Sequence, residues 1–339
     1  MKVKCVVWDL DNTLWQGTLS EGLGVEIRPD AFKIVKALDD RGILQSVASK
    51  NNYDDAMPLL IELGIDKYFL YPQIHWGPKS QSIQKICEAL NIGIDSFAFV
   101  DDQEFELEEV AFSLPEVMLI NANNIDSILS DERFLPRFVT DDAKYRRAYY
   151  QRDISRHTER ENFQGTEHDF LKTLDLSLTV SEATELDLQR AEELTIRTHQ
   201  LNSTGYTYSY EELDDMRASD DFMLLVAELT DKFGSYGKIG LVLIHKEEIK
   251  WTIKLFLMSC RVMSRGVGSA LLTLIQHMAA AAGNSLLAEF NATDRNRMMY
   301  MTYKFSGFNE VRSGVETLFK CDLDNLGQFP DYMNINNNI

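Results

Sequence analysis

Val6-Val7-Trp8-Asp9-Leu10-Asp11-Asn12-Thr13-Leu14-Trp15 decides how the rest of the chain is read. A short β-rich apolar run, Val3 to Trp8, delivers two aspartates two residues apart. Side chains on an extended segment alternate faces, so Asp9 and Asp11 are expected to point the same way. At the carboxyl end of a central parallel strand they would stand on the rim where open α/β sheets bind ligands. Two carboxylates this close repel unless a cation lies between them or one keeps its proton. The pair suits Mg2+ and phosphate chemistry, with one aspartate as nucleophile and its neighbour as general acid and base. A bare Asp-x-Asp also ends ordinary strands in aspartate-rich turns, so the remainder of the chain has to decide.

A chain of 339 residues, 45% hydrophobic and 26% charged, is long for one core and predicts two globular domains. The 34 Lys and Arg against 53 Asp and Glu give a net charge of −19, which argues against nucleic acid or an anionic membrane as partner. No apolar run is long enough to span a membrane, and Met1 opens no signal-like segment. The cysteines, Cys5, Cys87, Cys260 and Cys321, lack any paired spacing, as expected of a reducing, cytoplasmic setting.

Outward from the aspartates, strands and helices alternate. Pro29 opens a helical pattern that ends at Arg41-Gly42, and Ile43 to Ala48 reads as a buried strand delivering Ser49-Lys50-Asn51-Asn52. A helix around Ala56 to Leu63, a short strand at Tyr68 to Leu70 and a helix starting at Pro78-Lys79 follow. The strand Ser96 to Val100 ends in Asp101-Asp102, and Pro115 to Leu129 adds one more strand and helix. This alternation predicts a doubly wound parallel sheet over residues 1–136. All its strand ends would gather on one rim, where Asp9, Asp101 and the backbone carbonyl of Asp11 could hold Mg2+. There Ser49 could donate to a phosphoryl oxygen, and Lys79 could balance the charge of in-line transfer. Neither the Asp11–Ser49 nor the Ser49–Lys79 interval has room for a lid domain, so an open rim is expected.

The ordered set Asp9, Asp11, Thr13, Ser49, Lys79, Asp101 resembles the haloacid dehalogenase superfamily of phosphatases, whose first motif is Asp-x-Asp-x-Thr. The resemblance implies that Asp9 is the phosphoryl-accepting nucleophile and Asp11 the acid and base. Asp102 is expected beside the metal or capping the next helix, and Asn51 against substrate.

Residues 137–170 form a basic helical connector rich in arginine, read either as a solvated helix or as a dock for an acidic partner. From Leu171 the rhythm changes. A strand at Leu176–Val180 and two helical patterns (Glu185–His199, Tyr210–Ala218) precede three long strands, Phe222–Thr230, Ile239–His245 and Trp251–Met258. Arg265-Gly266-Val267-Gly268 then opens an apolar helix, and a strand, a helix and two closing strands complete residues 171–324. A glycine-rich turn between strand and helix turns backbone N–H groups toward an anion. The asparagine-rich residues 325–339 read as a frayed end or linker.

That order resembles the Gcn5-related acyltransferase fold, which implies that Arg265, Gly266 and Gly268 hold the phosphate of a pantetheine arm. Met263 stands where the usual signature has Arg or Gln, which turns the expectation from free coenzyme A to a carrier-bound arm. The whole chain, with Tyr71-Pro-Gln-Ile-His-Trp-Gly-Pro-Lys79 and Met258-Ser-Cys-Arg-Val-Met-Ser-Arg-Gly-Val-Gly268, looks like the FkbH-like family of polyketide pathways. Membership implies that the glyceryl group of 1,3-bisphosphoglycerate is captured as a thioester, freed of phosphate and loaded on the phosphopantetheine of an acyl carrier protein. An acyl phosphate is an activated carboxyl and a thiolate suits its capture, so Cys260 is the expected nucleophile. His199 is its candidate base; Gln200, Asn202, Asn296 and Arg261 are candidates to assist or bind substrate. The rival reading is a phosphatase acting on a carrier-bound phosphoacyl group, with the second domain only docking the carrier.

Overall fold

The structure, a computed structural model, describes residues 2–22, 24–314 and 316–339. The chain divides into two compact units, residues 1–151 and 152–339. It is α/β throughout.

The first unit is built on β1 (Cys5–Trp8), β2 (Trp15–Gln16), β3 (Glu26–Ile27), α1 (Pro29–Asp40), β4 (Leu44–Ser49), α2 (Tyr53–Glu62) and β5 (Gln73–Ile74). It continues through α3 (Lys79–Leu90), β6 (Phe97–Asp101), α4 (Glu104–Ser113) and β7 (Met118–Asn121). Five parallel strands lie in the order β5-β4-β1-β6-β7, with β2 and β3 as a separate small hairpin. Every residue of β1 is buried, as a parallel strand covered on both faces requires. Its Trp8 indole donates to Gln45 Oε1 (3.1 Å), and Gln45 Nε2 to the Val35 carbonyl (2.9 Å), so these two buried side chains are satisfied. Pro29 starts α1 and Ala31, Ile34, Val35 and Leu38 form its buried face. Gly42 ends that helix with φ +68°, where a Cβ would sit 2.5 Å from the Ala143 carbonyl oxygen; only glycine fits.

The expected strand at Tyr68–Leu70 is instead a 3-10 turn over Asp66–Tyr68, with Phe69 bridging Gln45 only; the edge strand is β5. A single bridge was too short to be separated from a turn by composition.

The basic stretch folds as α5 (Asp141–Lys144) and α6 (Arg146–Asn162), followed by α7 (Glu167–Thr173). Three of its arginines are taken up within the units. Arg146 is buried on the Gly42 carbonyl (2.6 Å), and Arg147 holds Asp39 (2.8 Å) and the Lys67 carbonyl (2.9 Å). Further along, Arg156 is fully buried between Asp153 (2.8 Å) and Asp231 (2.7 Å), over the face of Tyr236 (3.8 Å). Each guanidinium fastens the helix to a unit's own carbonyls and carboxylates.

The second unit adds β8 (Leu176–Glu182), α8 (Leu188–Arg197), α9 (Tyr210–Ala218), β9 (Phe222–Asp231), β10 (Gly234–Glu247) and β11 (Lys250–Met258). Then come α10 (Val267–Ala281), β12 (Ser285–Asn291), α11 (Arg297–Phe305), β13 (Phe308–Arg312), β14 (Glu316–Cys321) and β15 (Met333–Asn338). They form one eight-stranded mixed sheet, ordered β13-β14-β12-β11-β10-β9-β8-β15. Leu271, Leu272 and Ile275 of α10 pack on one face and Leu188, Leu194 and Leu213 on the other. Each such side chain contributes about 1.5–3 kcal/mol by burial.

Parallel β11 and β12 stay in register only over Lys250–Ile253 and Ser285–Ala288, then part. Residues Leu201–Ser203 fill the gap: Met258 N donates to the Leu201 carbonyl (2.9 Å), Ser203 N to Phe256 (3.0 Å), and Asn291 N to Ser203 (3.0 Å). The tail, expected to fray, closes the opposite edge. β15 runs parallel to β8 from Met333↔Leu176 to Asn338↔Ser181, with Met333 buried and Asn336 donating to Ser177 Oγ (2.9 Å). Asparagine is a poor strand former, so composition hid this strand. No described helix is long and apolar enough to cross a membrane.

Candidate active sites

Asp9 follows β1 directly, its N–H donating to the Val100 carbonyl (2.9 Å). After it the chain turns sharply: the Leu10 carbonyl accepts from Thr13, Leu14 and Trp15 N–H groups, and Asn12 takes φ +53°. This turn, not strand alternation, presents Asp11. Its Oδ1 accepts from Trp15 Nε1 (2.7 Å) and Leu19 N (3.1 Å), and its Oδ2 from Asn51 Nδ2 (3.1 Å).

Carboxylate oxygens of Asp9, Asp101 and Asp102 lie within 4.8 Å of one another. The Asp11 carboxylate is outside that group, so as a ligand it offers only the backbone carbonyl. Lys79, buried in the first turn of α3, puts its ammonium 2.8 Å from Asp9 Oδ1 and also on Asp101 Oδ2. Ser49, at the end of β4, hydrogen-bonds Asp9, and Asn51 Nδ2 donates to Ser49 Oγ (3.2 Å). The five residues placed on one rim by sequence therefore meet, and Asn51, expected against substrate, links two of them.

The electrostatics are strained. Burial raises Asp9 to about 6, with Lys79 opposing and Asp101 adding to the rise. Asp102 is raised by burial and by Asp9, and its Oδ1 is buried with no hydrogen-bond partner. Burial works against the Lys79 charge, but Asp9 and Asp101 outweigh it and the pKa ends raised. Three carboxylates against one ammonium leave two negative charges in a largely buried cluster, with one carboxylate oxygen unsatisfied. A hard divalent cation such as Mg2+ fits that donor set.

Two features here lay outside the sequence reading. Trp15, four residues after Asp11, fixes its carboxylate, and His75 locks the turn before Lys79. Gly77 N donates to His75 Nδ1 (3.0 Å), leaving Nε2 facing Ser82 Oγ (3.2 Å). Both stand in stretches quoted above, but nothing in their spacing assigns them these contacts.

In the second unit β11 stops at Met258, and Cys260 opens a 3-10 turn over Cys260–Val262. Its half-exposed Sγ lies 3.9 Å from Gln200 Oε1. His199 is exposed in the turn after α8. Gly266 (φ +74°) caps α10, where an added Cβ would collide with the Tyr332 hydroxyl. Arg265 is buried with its Nε unpartnered, and Arg261 Nη2 donates to the Tyr236 carbonyl (2.6 Å).

Asn202 and Asn296, expected to bind substrate, are spent on scaffolding. Asn202 Oδ1 accepts from Thr204 N (3.1 Å) and Gly205 N (2.9 Å), and its Nδ2 donates to the Tyr206 carbonyl (3.0 Å). Fully buried Asn296 donates to the carbonyls of Asn202 (3.0 Å) and Asn291 (2.8 Å) and accepts from Thr293 N (2.8 Å). Both hold the Leu201–Ser203 segment in the gap beside β11, a long-range demand that spacing cannot reveal. The remaining cysteines are not poised to react. Burial lifts Cys5 well above the ordinary thiol value, Cys321 to about 12 and Cys87 to about 11, and Cys87 also donates to the Ile92 carbonyl (2.8 Å).

A five-stranded parallel sheet with an aspartate at the end of its middle strand, a serine after the next, and a lysine and aspartate closing the site decides the first fold. The first unit is haloacid dehalogenase-like and carries no cap domain among its described residues. The second, with parting strands and a glycine turn into α10, has a Gcn5-related acyltransferase-like fold. No family model matches the chain. Magnesium-dependent phosphatase 1 of Homo sapiens is 24% identical over 127 residues, 32% of this chain and 72% of that protein. A solved N-terminal part of a Bacteroides fragilis protein, containing a phosphatase domain complexed with Mg, is 32% identical with a TM-score of 0.31. That match covers 35% of this chain and only 36% of the Bacteroides chain. The ribosomal-protein-S18-alanine N-acetyltransferase of Escherichia coli is 16% identical, with a TM-score of 0.36, over 44% of this chain and 97% of its own.

Proposed function

We propose that the chain is a bifunctional acyl-loading enzyme. It captures the glyceryl group of 1,3-bisphosphoglycerate as a thioester, removes the remaining phosphate and passes the acyl group to the phosphopantetheine of an acyl carrier protein. The FkbH-like motifs support this reading, as does the name of the human relative for magnesium dependence. The observation that carries it is the cluster of buried Asp9, Asp101 and Lys79 with half-buried Asp102 in one unit, and Cys260 half-exposed ahead of a glycine turn in the other. A reducing, cytoplasmic setting, with neither nucleic acid nor membrane as partner, belongs to the same proposal.

In the first unit the Asp9 carboxylate attacks phosphorus while the P–O bond to the glyceryl oxygen breaks. That oxygen takes a proton from Asp11, and Asp11 then takes one from the water that cleaves the aspartyl phosphate. Trp15, Leu19 N and Asn51 hold Asp11 in place for both proton transfers. Lys79 keeps Asp9 oriented and faces the charge that develops on the phosphoryl oxygens. Asp9, Asp101, Asp102 and the Asp11 carbonyl would hold Mg2+, which would supply further neutralisation of that charge. In the second unit the Cys260 thiolate attacks the acyl carbon, the C–O bond to phosphate breaks, and the pantetheine thiol later displaces Cys260 from the thioester.

One observation favours the narrower alternative, a phosphatase whose second unit only docks the carrier: Asn202 and Asn296 are committed to scaffolding, which leaves Cys260 fewer assisting groups. Intact-mass analysis of enzyme and carrier after incubation with Mg2+ and 1,3-bisphosphoglycerate separates the two. An adduct on the enzyme that disappears in Cys260→Ala supports acyl transfer. A carrier loaded equally well by Cys260→Ala would refute it.

A further inference from the structure

Tyr53, Trp76 and Phe105 each lie just beyond the carboxyl end of one of three strands, β4, β5 and β6. They are 52%, 67% and 70% exposed, while the sheet beneath them is sealed. Isolated exposed apolar residues are ordinary; three large aromatics on the loops that carry one buried phosphoryl site are not.

None sits on a slack loop. Tyr53 begins α2, whose Asn52 cap accepts from Asp54 N (3.2 Å). Trp76 stands in the turn closed by His75, whose own N–H donates to the Ser49 carbonyl (3.0 Å). Phe105 is in the first turn of α4, and Lys50, the residue after Ser49, reaches across to it. The Lys50 ammonium is 2.6 Å from Glu106 and 6.0 Å from the Phe105 ring. Because β4 and β6 both pair with β1, Tyr53 and Phe105 stand on either side of the strand that delivers Asp9, with Trp76 one strand further out. Exposed carboxylates, Asp54, Asp55 and Glu104, adjoin Tyr53 and Phe105 in the chain.

We infer that these aromatics form an arc that selects the body of the phosphatase substrate: an uncharged organic arm with apolar faces bearing one terminal phosphomonoester. Such a body lays apolar surface on rigid rings at little entropic cost. A small phosphate with further negative charge gains nothing from the rings and is repelled by the acids around them. The inference rests on the phosphatase half of the proposed function. There it makes a phosphorylated acyl group on a neutral thioester arm a better substrate for Asp9 than a free, multiply charged acid.

The test uses the full chain with Mg2+ and two phosphonates, which bind without turning over. By calorimetry, phenylphosphonate is expected to bind about tenfold or more tightly than 2-carboxyethylphosphonate. Trp76→Ala/Phe105→Ala should erase most of that preference by weakening only the phenyl ligand. Asp54→Asn/Asp55→Asn/Glu104→Gln should tighten the carboxyethyl ligand about two- to fivefold. Equal binding of the two probes by the native chain, a preference that survives loss of both rings, or no binding of either probe while Mg2+ still binds would each overturn the arc. Asp9-dependent hydrolysis of 4-nitrophenyl phosphate tests the underlying reading separately. Its absence alongside a ring-dependent phenyl preference would sink the phosphatase while leaving the arc.

Discussion

The residues around Asp9 carry more negative charge than their own hydrogen bonds satisfy, and that imbalance sets their behaviour. Asp9, raised to about 6 by burial, is protonated below that pH, and a cation must displace the proton to bind. Mg2+ affinity is therefore expected to weaken as pH falls through 6 and to level off above it, with proton release seen by calorimetry in buffers of different ionisation heat. Asp102→Asn should act in two directions. Mg2+ affinity should drop about 10- to 100-fold. The metal-free protein should melt higher, because a negative charge that burial and Asp9 both disfavour has gone. A lower melting point without Mg2+ would argue that Asp102 is paired. At this scale the sequence was most legible where strand ends force residues together: Ser49, Lys79 and Asp101 were readable from order alone. Trp15 on Asp11 and His75 under Trp76 were not, since each acts through a turn whose shape no pattern announces.

At the scale of elements, a glycine turn and its cover behave as one part. Gly266→Ala meets both a left-handed backbone, at about 1–2 kcal/mol, and the Tyr332 hydroxyl. Tyr332→Ala in the same chain should recover the contact portion and not the backbone portion. A double-mutant cycle in denaturant measures the split, and strict additivity would mean that the two do not touch. Most helices and long strands were legible because apolar residues recur at their period: Tyr210–Ala218 is read to the residue, and Trp251–Met258 to within one. β15 escaped because asparagine dominates it, and Met333 and Ile335 supply its apolar contacts for a pairing with β8 across more than 150 residues of chain. The same distance explains Asn202 and Asn296. Their positions resemble helix caps, while their hydrogen bonds close a gap between strands that only the folded sheet creates.

For the whole molecule, the basic connector shows how a chain at −19 uses its scarce cations. Arg156 sits among two carboxylates and an aromatic face with no exposure, so Arg156→Ala leaves buried charge uncompensated. We expect a loss of about 3–5 kcal/mol, read from the urea midpoint of the second unit. A cost below 1 kcal/mol would mean that water reaches the site. The four thiols give a last consequence, one of chemical counting. Three have pKa values lifted by burial and one stands half-exposed at a turn, so a maleimide near pH 7 should mark the native chain once, at Cys260, and the unfolded chain four times. Label stoichiometry then becomes a clock for opening: the second, third and fourth additions report, in order of rate, how often each core breathes.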